Sequence, residues 1–323
     1  MNLIVSSSPH IRSKIRTQTI MRDVLIALLP ALLAGIWVHG LRALLVTLTA
    51  AAAAVLAEGL FCMITKRNST VSNLSSAVTG ILLAMTLPAS VPYWAAALGS
   101  IFAIVVVKGM SGGIGKNIFN PALAGRAFLM LLVPSALTRF SAFGVKLSLG
   151  NSVDMVTSAT PLHHMQMPAL PEVPLMDMFL GNSVGCIGEI SALALLLGGI
   201  YLVWSKVITV RIPLAYLGTV AVLTLIFSKG MDPVSWMLYS LLSGGVVLGA
   251  IFMATDYATS PVTAKGQIIY GIGCGLLTVI FRYTGLFPEG VTYAILLMNA
   301  AVWGIERITQ PRRFGVVKGG QNG

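Results

Sequence analysis

Long apolar runs alternate with short polar or Gly- and Pro-containing stretches along most of the chain. A helix that crosses a bilayer needs about 20 predominantly apolar residues, and runs of roughly that length predict ten such segments. The predicted segments are 21–40, 42–64, 75–89, 93–110, 119–138, 187–206, 212–228, 235–254, 266–283 and 289–305. The third is short and ends in Pro88, and the first two divide at His39 and Gly40. The pattern predicts an all-α polytopic membrane protein.

The composition supports this fold class. Of the 323 residues, 56% are hydrophobic and 10% are charged, whereas a typical soluble domain carries about 25% charged residues. So few charges cannot cover a water-facing surface, and the chain therefore belongs in membrane lipid. The formal net charge of +11 does not indicate nucleic-acid binding, because the basic residues lie between apolar runs and not in patches on a polar domain.

The basic residues are distributed unequally between the two sides that ten spans would create. Fifteen Lys and Arg residues fall on the side of the two termini. Five fall on the other side, namely Arg42, Arg139, Lys146, Lys229 and Arg282. Because cytoplasmic loops carry the excess of Lys and Arg, we expect a bacterial plasma (inner) membrane protein with both termini in the cytoplasm. The same orientation places the 139–186 loop on the outer face.

Five predicted spans precede this long loop and five follow it, so the second half would run inverted relative to the first. Residues 80–92 and 245–261 both contain Gly, end in a small hydroxyl-bearing stretch and reach Pro. Paired interrupted segments are typical of inverted-repeat transporters, although Gly and Pro are also common in membrane helices generally. We expect two inverted five-helix repeats. The predicted divisions are an N-terminal membrane half (1–138), an outer loop (139–186), a C-terminal membrane half (187–310) and a cytoplasmic tail (311–323).

The long loop contains a hydroxyl-rich stretch, N-S-V-D-M-V-T-S-A-T-P-L at 151–162, in an otherwise apolar chain. Ser and Thr are weak nucleophiles without an adjacent base, and no G-x-S-x-G elbow is present. No carboxylate is placed to orient His163 and His164, and the three cysteines form no C-x-x-C pair that would indicate a metal or iron–sulfur site. These patterns indicate no catalytic residue and by themselves fit an ordinary turn-rich loop.

Within that stretch, residues 154–160 fit the pattern D-x-x-[ST]-[GS]-A-T position by position. This pattern resembles the acceptor motif of flavin transferases, which join the phosphate of FMN to the final Thr hydroxyl. The matching residues are Asp154, Thr157, Ser158, Ala159 and Thr160. Ala159 is small enough to leave room for the transferase and the phosphate. A covalent attachment also suits the outer face, where a dissociated flavin would be lost.

Three further stretches carry a resemblance to one family. They are G-G-I-G-K-N-I-F-N-P-A-L-A-G-R-A-F at 112–128, M-A-T-D-Y-A-T-S-P-V-T at 253–263 and P-E-G-V-T-Y-A-I-L-L-M-N at 288–299. With the acceptor motif, they make nearly the whole chain resemble the RnfD/NqrB family. RnfD is a membrane component of the Rnf ion-translocating electron-transport complex, and NqrB is its relative in the sodium-pumping NADH:quinone reductase.

The resemblance implies a function, cofactors and partners. The chain would carry flavin and transfer electrons within the membrane, as part of ferredoxin:NAD⁺ oxidoreduction coupled to Na⁺ or H⁺ translocation. It would be one component of a translocase complex, without an independent active site. FMN would be attached as a phosphodiester to Thr160 Oγ, with Asp154 serving recognition by the transferase. A second, noncovalent flavin, riboflavin, would lie among the helices, and the partners would be the other Rnf subunits and a flavin transferase.

Three polar residues in or next to the predicted spans are candidates for an ion path: Glu58, Asn120 and Asp256. Charged groups inside a membrane are costly and often functional, and the free N–H groups of a helix start favour anions. We expect two interrupted helices to meet near the midplane and to shape an ion or flavin passage. The alternative is that Glu58 and Asp256 are interfacial charges near lipid headgroups.

Two other functions stay open on the sequence alone. An inverted-repeat solute permease or channel would need no redox cofactor, and a structural anchor for redox partners would carry no flavin. The D-x-x-T-S-A-T stretch argues against the permease, because a permease has no use for it. A visible spectrum would separate the anchor from the flavin-carrying subunit.

Overall fold

The computed structural model describes residues 16–67, 70–140, 170–171, 173–285 and 290–310. All regular elements of these residues are helical. Those of the N-terminal half are α1 (Thr17–His39), α2 (Leu41–Ile64), α3 (Ser75–Met85), α4 (Tyr93–Phe102, continued by π-helical turns over Ala103–Gly109), α5 (Pro121–Leu132) and α6 (Pro134–Leu137), with a 3₁₀ turn at Val71–Asn73. Those of the C-terminal half are α7 (Leu175–Leu180), α8 (Ala192–Trp204), α9 (Arg211–Ile226), α10 (Pro233–Leu242), α11 (Val246–Leu248, continued by π-helical turns over Gly249–Met253), α12 (Ala264–Thr284) and α13 (Val291–Thr309).

Four helices among the described residues are long and apolar enough to cross a membrane: α1, α2, α12 and α13. The bent pair of α10 and α11 with its π-helical turns, at an angle of 62°, is a fifth candidate when it is counted as one span. The other apolar helices, α3, α4, α5, α8 and α9, are shorter. The described chain is thus all-helical, with candidate spans that fit a polytopic membrane protein. The number of ten spans and the inverted repeat stay predictions.

Two helix ends lie where local backbone chemistry requires them. Gly40, between α1 and α2, has a φ of 74°, in the left-handed region that Gly enters at little cost. The predicted division at His39 and Gly40 is therefore confirmed. The helix α3 ends at Met85, and Pro88 follows two residues after the C-cap Thr86, where Pro is common because it cannot continue a helix.

Buried arginines bind the main-chain carbonyls that become free where helices break. Arg42 of α2 donates from Nε to Ala89 O (3.0 Å) and from Nη2 to Ser90 O (3.1 Å), in the break that follows α3. Arg282 of α12 serves the break between α10 and α11 in the same way. Unpaired carbonyls are costly away from water, so these forked side chains stabilise interrupted helices.

Helices approach one another closely through small residues. The helix α2 packs against α3 and α4, whereas α9 packs against α10 and α12, and α1 contacts α8 between the two halves. A Cβ atom at Gly80 of α3 would lie 2.7 Å from Ala50 O of α2, and one at Gly198 of α8 would overlap Ala27 O of α1. Small residues at such crossings allow the close backbone contact on which membrane helix packing depends.

The end of the predicted outer loop is packed against the C-terminal half. The helix α7 forms where the sequence predicted only loop, and its Met178 is buried with Trp236 and Tyr239 of α10. Tyr239 Oη donates to Val173 O at 2.8 Å. These contacts fix the return of the loop to the helices, because they bury apolar and aromatic side chains together. The FMN-acceptor motif itself, at 154–160, lies outside the described residues.

Candidate functional site

An open cavity lies between elements of the two halves. Ligand sites in proteins are commonly mostly apolar, with a few converging polar groups, and this cavity has that character. Its apolar wall includes Val78, Leu82 and Phe252. Its polar lining residues are Ser75, Thr79, Lys108, Asn117, Asn120, Thr255, Asp256 and Tyr257.

Asn120, one of the predicted ion-path residues, lies at the start of α5 and is 3% exposed. Its Oδ1 accepts hydrogen bonds from the N–H groups of Ala122 (3.0 Å) and Leu123 (3.3 Å), which are free at the first turn of a helix. Pro121 follows at the first helical position, which its fixed φ suits. The side-chain Nδ2 donates to Met253 O at 3.1 Å, so Asn120 also connects the two halves.

A second asparagine extends this connection. The Asn299 amide of α13, in the orientation that satisfies its neighbours, accepts from Asn120 N at 3.0 Å and donates to Tyr270 Oη at 2.6 Å. It also donates to Thr259 O at 3.2 Å. Since Asn299 is 3% exposed, its hydrogen bonds hold the start of α5 against the turn that carries Asp256.

Asp256 lies in the turn that follows the π-helical residues Gly249–Met253, and it contributes to the cavity wall. Its Oδ2 accepts a hydrogen bond from Thr259 Oγ1 at 3.2 Å, and its main-chain oxygen accepts from Ser260 N at 3.1 Å. The turn thereby places a carboxylate in the same cavity wall as Asn120, whose side chain bonds to Met253 O. The structure thus brings two of the three predicted ion-path residues together at one cavity.

Glu58, the third predicted ion-path residue, is buried in an ion pair. Its Oε1 lies 2.7 Å from Lys108 Nζ, and both side chains are almost fully buried. Thr70 Oγ1 donates to the same oxygen at 2.5 Å, and Lys108 Nζ also donates to Ser75 Oγ at 2.6 Å. The group lies at a second cavity, and of these four residues Lys108 alone lines both cavities.

Arg126, a charge within the predicted fifth span, is also buried. Its guanidinium donates to Thr86 O at the end of α3, and both terminal nitrogens lie 3.8 to 3.9 Å from Cys186 Sγ. This charge therefore serves the break after α3, much as Arg42 does. Its partners belong to the end of α3 and to the chain that enters α8, so it connects elements of both halves.

Two cavity residues were not among the predicted ion-path residues. Lys108 was counted only as one of the inner basic residues, because a Lys at the end of an apolar run is usually interfacial. Asn117 lies three residues before Asn120 in G-K-N-I-F-N-P-A, and this spacing was a usable signal. Its Oδ1 is buried without a hydrogen-bond partner among the described residues. A buried polar atom of this kind has an unmet requirement for a ligand or water.

The matches to known proteins cover almost the whole chain. Residues 4–315 match the NQR2, RnfD, RnfE family. The chain belongs to this family. It is 50% identical over 321 residues to the D subunit of the Na(+)-translocating ferredoxin:NAD(+) oxidoreductase complex of Acetobacterium woodii, with 98% of this chain and 97% of that protein covered. It is 42% identical to the D subunit of the proton-translocating ferredoxin:NAD(+) oxidoreductase complex of Clostridium ljungdahlii, with 96% of each covered.

The match to a more distant relative also covers almost the full length of both proteins. The chain is 32% identical to the D subunit of the ion-translocating oxidoreductase complex of Escherichia coli O127:H6, with 98% of this chain and 99% of that protein covered. Family membership confirms the resemblance carried by the stretches at 112–128 and 253–263. Both stretches contribute to the lining of the central cavity, the first with Ile114, Asn117, Asn120, Pro121 and Ala122, and the second with Thr255, Asp256, Tyr257 and Ala258. The residues of the FMN-acceptor motif stay predictions, because they lie outside the described chain.

Proposed function

We propose that the chain is the flavin-carrying membrane subunit of an Rnf complex. It transfers electrons within the membrane during ferredoxin:NAD⁺ oxidoreduction coupled to Na⁺ or H⁺ translocation, together with the other Rnf subunits. The observation that carries the proposal is the cavity between the two halves, whose mostly apolar lining includes the polar residues Asn120 and Asp256. The names of the full-length relatives, which are subunits of ion-translocating ferredoxin:NAD(+) oxidoreductase complexes, support it.

The covalent cofactor in this proposal is FMN, attached through a phosphodiester to Thr160 Oγ by a flavin transferase. The sequence at 154–160 supports the attachment, with Asp154, Thr157, Ser158 and Ala159 as the recognition residues. A phosphodiester keeps about one negative charge, fewer than a free phosphate monoester at neutral pH. Basic residues of an outer loop are therefore sufficient neighbours for it, without a dedicated phosphate site.

In this proposal the noncovalent flavin, riboflavin, binds in the central cavity. An isoalloxazine ring has one hydrogen-bonding edge and one apolar end, and the ribityl chain carries hydroxyl groups. The cavity lining includes both kinds of surface, polar groups such as the unpartnered Asn117 Oδ1 and the Asp256 carboxylate, and apolar side chains such as Val78 and Leu82. Ser75 provides a hydroxyl for the ribityl chain. When bound, riboflavin supplies the redox chemistry, while these residues bind it, orient it and exclude water.

The ion path in this proposal passes Glu58, Asn120 and Asp256. Two of these residues lie at the central cavity, and Glu58 lies one side chain away from it, behind Lys108. Buried charged groups inside membrane proteins commonly mark ion or proton paths. The named ion differs between the two relatives, Na⁺ at 50% identity and H⁺ at 42% identity, so both ions stay within the proposal.

The proposed topology is ten spans in two inverted five-helix repeats, with both termini in the cytoplasm and Thr160 on the outer face. Similar packing in the two halves supports the repeat. The helix α2 of the first half packs against α3 and α4, α9 of the second packs against α10 and α12, and each half has a break and a run of π-helical turns. The unequal distribution of basic residues supports the orientation.

The test is a denaturing gel of the protein purified from cells that also make a flavin transferase. We expect flavin fluorescence at the 34.0 kDa band, which is lost in Thr160→Ala and kept in Thr138→Ala. Thr138 is a matched control because it is an exposed Thr near the loop whose hydroxyl bonds to Pro134 O of its own helix. A dark band in every sample, with the transferase active on another substrate, would overturn the proposal and favour the inverted-repeat permease.

A further inference from the structure

Two helices that line the central cavity lead to one place just beyond its wall. One face of α3 lines the cavity as far as Leu82. Residues four positions apart share a helix face, so the next position on that face is Thr86, directly after the helix. In the same way α5 lines the cavity with Ala122, and the next position on that face is Arg126. Each step is about one helical turn, or roughly 5.4 Å.

The guanidinium of Arg126 occupies this place. It donates to Thr86 O, and its two terminal nitrogens lie 3.8 and 3.9 Å from Cys186 Sγ. The residue is 6% exposed, so its charge is not screened by water and salt as a surface charge would be. A positive charge is therefore held close behind the cavity wall, in surroundings where Coulomb interactions are strong.

A second buried guanidinium belongs to the same cluster. Glu189, in the turn before α8, interacts electrostatically with both Arg126 and Arg282. Arg282 binds the main-chain oxygens of Ser240 and Ser243. The cluster thus holds two positive charges against at most one negative charge. A neutral amide side chain could bind the same carbonyls, whereas a buried charge in a membrane protein is costly and often functional. The charge of Arg126 therefore points to a role beyond support of the helix break.

The charged residues of the cavity wall do not supply a comparable positive charge. Among the described residues that line the cavity, Lys108 and Asp256 are the charged ones. The Lys108 ammonium lies 2.7 Å from a Glu58 carboxylate oxygen, so its charge is offset. The Asp256 carboxylate disfavours further negative charge in the cavity. A ligand that gains negative charge there depends on the positive charge behind the wall.

We propose that Arg126 sets the reduction potential of the flavin in the central cavity. An electron that enters the flavin adds negative charge to a site that is largely closed to water, and the nearby guanidinium stabilises that charge. Arg126 is absent from the cavity lining, so it acts through its charge and not by contact. The inference rests on the proposed function, because it assigns Arg126 a role at the riboflavin site of that function.

The experiment is a redox titration of the full chain in detergent, with Thr160→Ala present in every sample. This background removes the proposed covalent FMN, so flavin absorbance reports the noncovalent riboflavin. The measured quantity is the ratio of reduced to oxidised riboflavin at a fixed electrode potential. Arg126→Gln removes the charge and keeps an amide that can donate to Thr86 O. It should lower the ratio by about tenfold, the effect expected of one charge roughly 10 Å away in a protein interior.

Three further variants separate the charge from the structure around it. Arg126→Lys keeps the charge and should leave the ratio close to that of the chain with Arg126. Arg42→Gln removes another buried Arg of the same break, but its carbonyl partners, Ala89 and Ser90, lie farther along the chain from the cavity-lining Leu82. It should lower the ratio far less than Arg126→Gln does. Arg282→Gln removes the second guanidinium of the cluster and should lower the ratio by a smaller factor.

Three results would overturn the proposal. They are an unaltered ratio in Arg126→Gln, an equal fall in Arg42→Gln, and a fall in Arg126→Lys as large as that in Arg126→Gln. Where Arg126→Gln does not fold, Arg282→Gln decides, and a ratio that does not fall in that variant overturns the proposal.

A failure of this role can be told apart from a failure of the proposed function. Riboflavin extracted with acid is measured in each sample beside the titration. Bound riboflavin whose ratio does not respond to Arg126 contradicts the role of Arg126 alone. A chain that contains Arg126 and holds no riboflavin contradicts the riboflavin site of the proposed function, and the inference about Arg126 falls with it.

Discussion

The side-chain amide of Asn120 donates a hydrogen bond to the main-chain oxygen of Met253, 3.1 Å away and 133 positions along the chain. The same side chain caps α5 through its oxygen. One asparagine thus fixes the start of a helix in the N-terminal half and the end of the π-helical turns in the C-terminal half. The central cavity lies beside this connection, so its shape depends on both halves at once.

Asn120→Asp separates the two roles of this residue. Asp caps a helix as well as Asn does, but a carboxylate cannot donate to Met253 O. We expect Asn120→Asp to lose noncovalent flavin and Asn120→Ala to lose both flavin and about 1 kcal/mol of cap stabilisation. The measurement is the amount of acid-extractable riboflavin per complex, and the amount of covalent FMN gives the number of complexes in the sample.

Asn182→Ala is the matched control for this series. Asn182 is an exposed asparagine whose amide bonds to Asp177 Oδ1 at 3.2 Å, and it is absent from the cavity lining. Riboflavin content equal to that of the unaltered complex is expected. Full riboflavin content in Asn120→Ala would place the noncovalent flavin elsewhere than the central cavity.

Asp256→Asn should uncouple ion transport from electron transfer. The substitution keeps size and hydrogen bonding but removes the charge that Asp256 presents to the cavity. Since a charge in a membrane path is there to attract a cation or to carry a proton, we expect ion transport per electron to fall while electron transfer persists. The measurement is ion uptake into proteoliposomes that contain the complex, during ferredoxin oxidation by NAD⁺.

Asp232→Asn is the control for Asp256→Asn. Asp232 is an exposed carboxylate that caps α10 through Ser235 N at 2.9 Å, and Asn caps equally well. The same chemical change there should leave the ratio of ions to electrons unaltered. An unaltered ratio in Asp256→Asn as well would remove Asp256 from the ion path.

The parts of the fold that follow from local chemistry were predictable. A Gly between two apolar runs predicted the division at Gly40, and Asn followed by Pro placed a helix start at Asn120. Family membership was predictable because several stretches matched one pattern. The number of membrane spans was less accessible, since α3, α5 and α8 are shorter than an isolated span requires. The criterion of about 20 apolar residues applies to a single helix surrounded by lipid. In short or broken helices, neighbouring parts of the protein form hydrogen bonds to the free backbone groups at the helix ends.

The partners of the charged residues were not predictable. Glu58 and Lys108 are 50 positions apart, and the sequence around each residue does not predict its contact with the other. From the sequence, Glu58 could be an ion-path residue or an interfacial charge, because a charge in an apolar run is often functional but can also reach headgroups or water. Only the packing of α2 against the end of α4 shows that these two neutralise each other inside the protein. The same limit applies to Asn120 and Met253.

Gly198→Ala should weaken the contact between the two halves. A Cβ at this position in α8 would overlap Ala27 O of α1, which is main chain and cannot move aside without a shift of the helix. We expect a loss of about 1–3 kcal/mol, the usual cost of overpacking. The measurement is the thermal denaturation midpoint of the complex in detergent.

Gly218→Ala of α9 is the control, because a Cβ there would have no atom within 4 Å and the substitution gains helix propensity of about 1 kcal/mol. A higher midpoint in both variants would contradict the close contact.

Arg282→Lys should destabilise the break between α10 and α11. Arg282 donates from Nη1 to Ser240 O (2.7 Å) and from Nη2 to Ser243 O (2.8 Å) and Gly244 O (3.3 Å). Lys has the same charge but no fork, and each buried carbonyl left unpaired costs about 1–3 kcal/mol. The denaturation midpoint should fall, and it should stay unchanged in Arg211→Lys, where an exposed Arg contacts the side-chain amide of Gln267. Equal midpoints for all three proteins would show that charge alone, and not the forked geometry, stabilises the break.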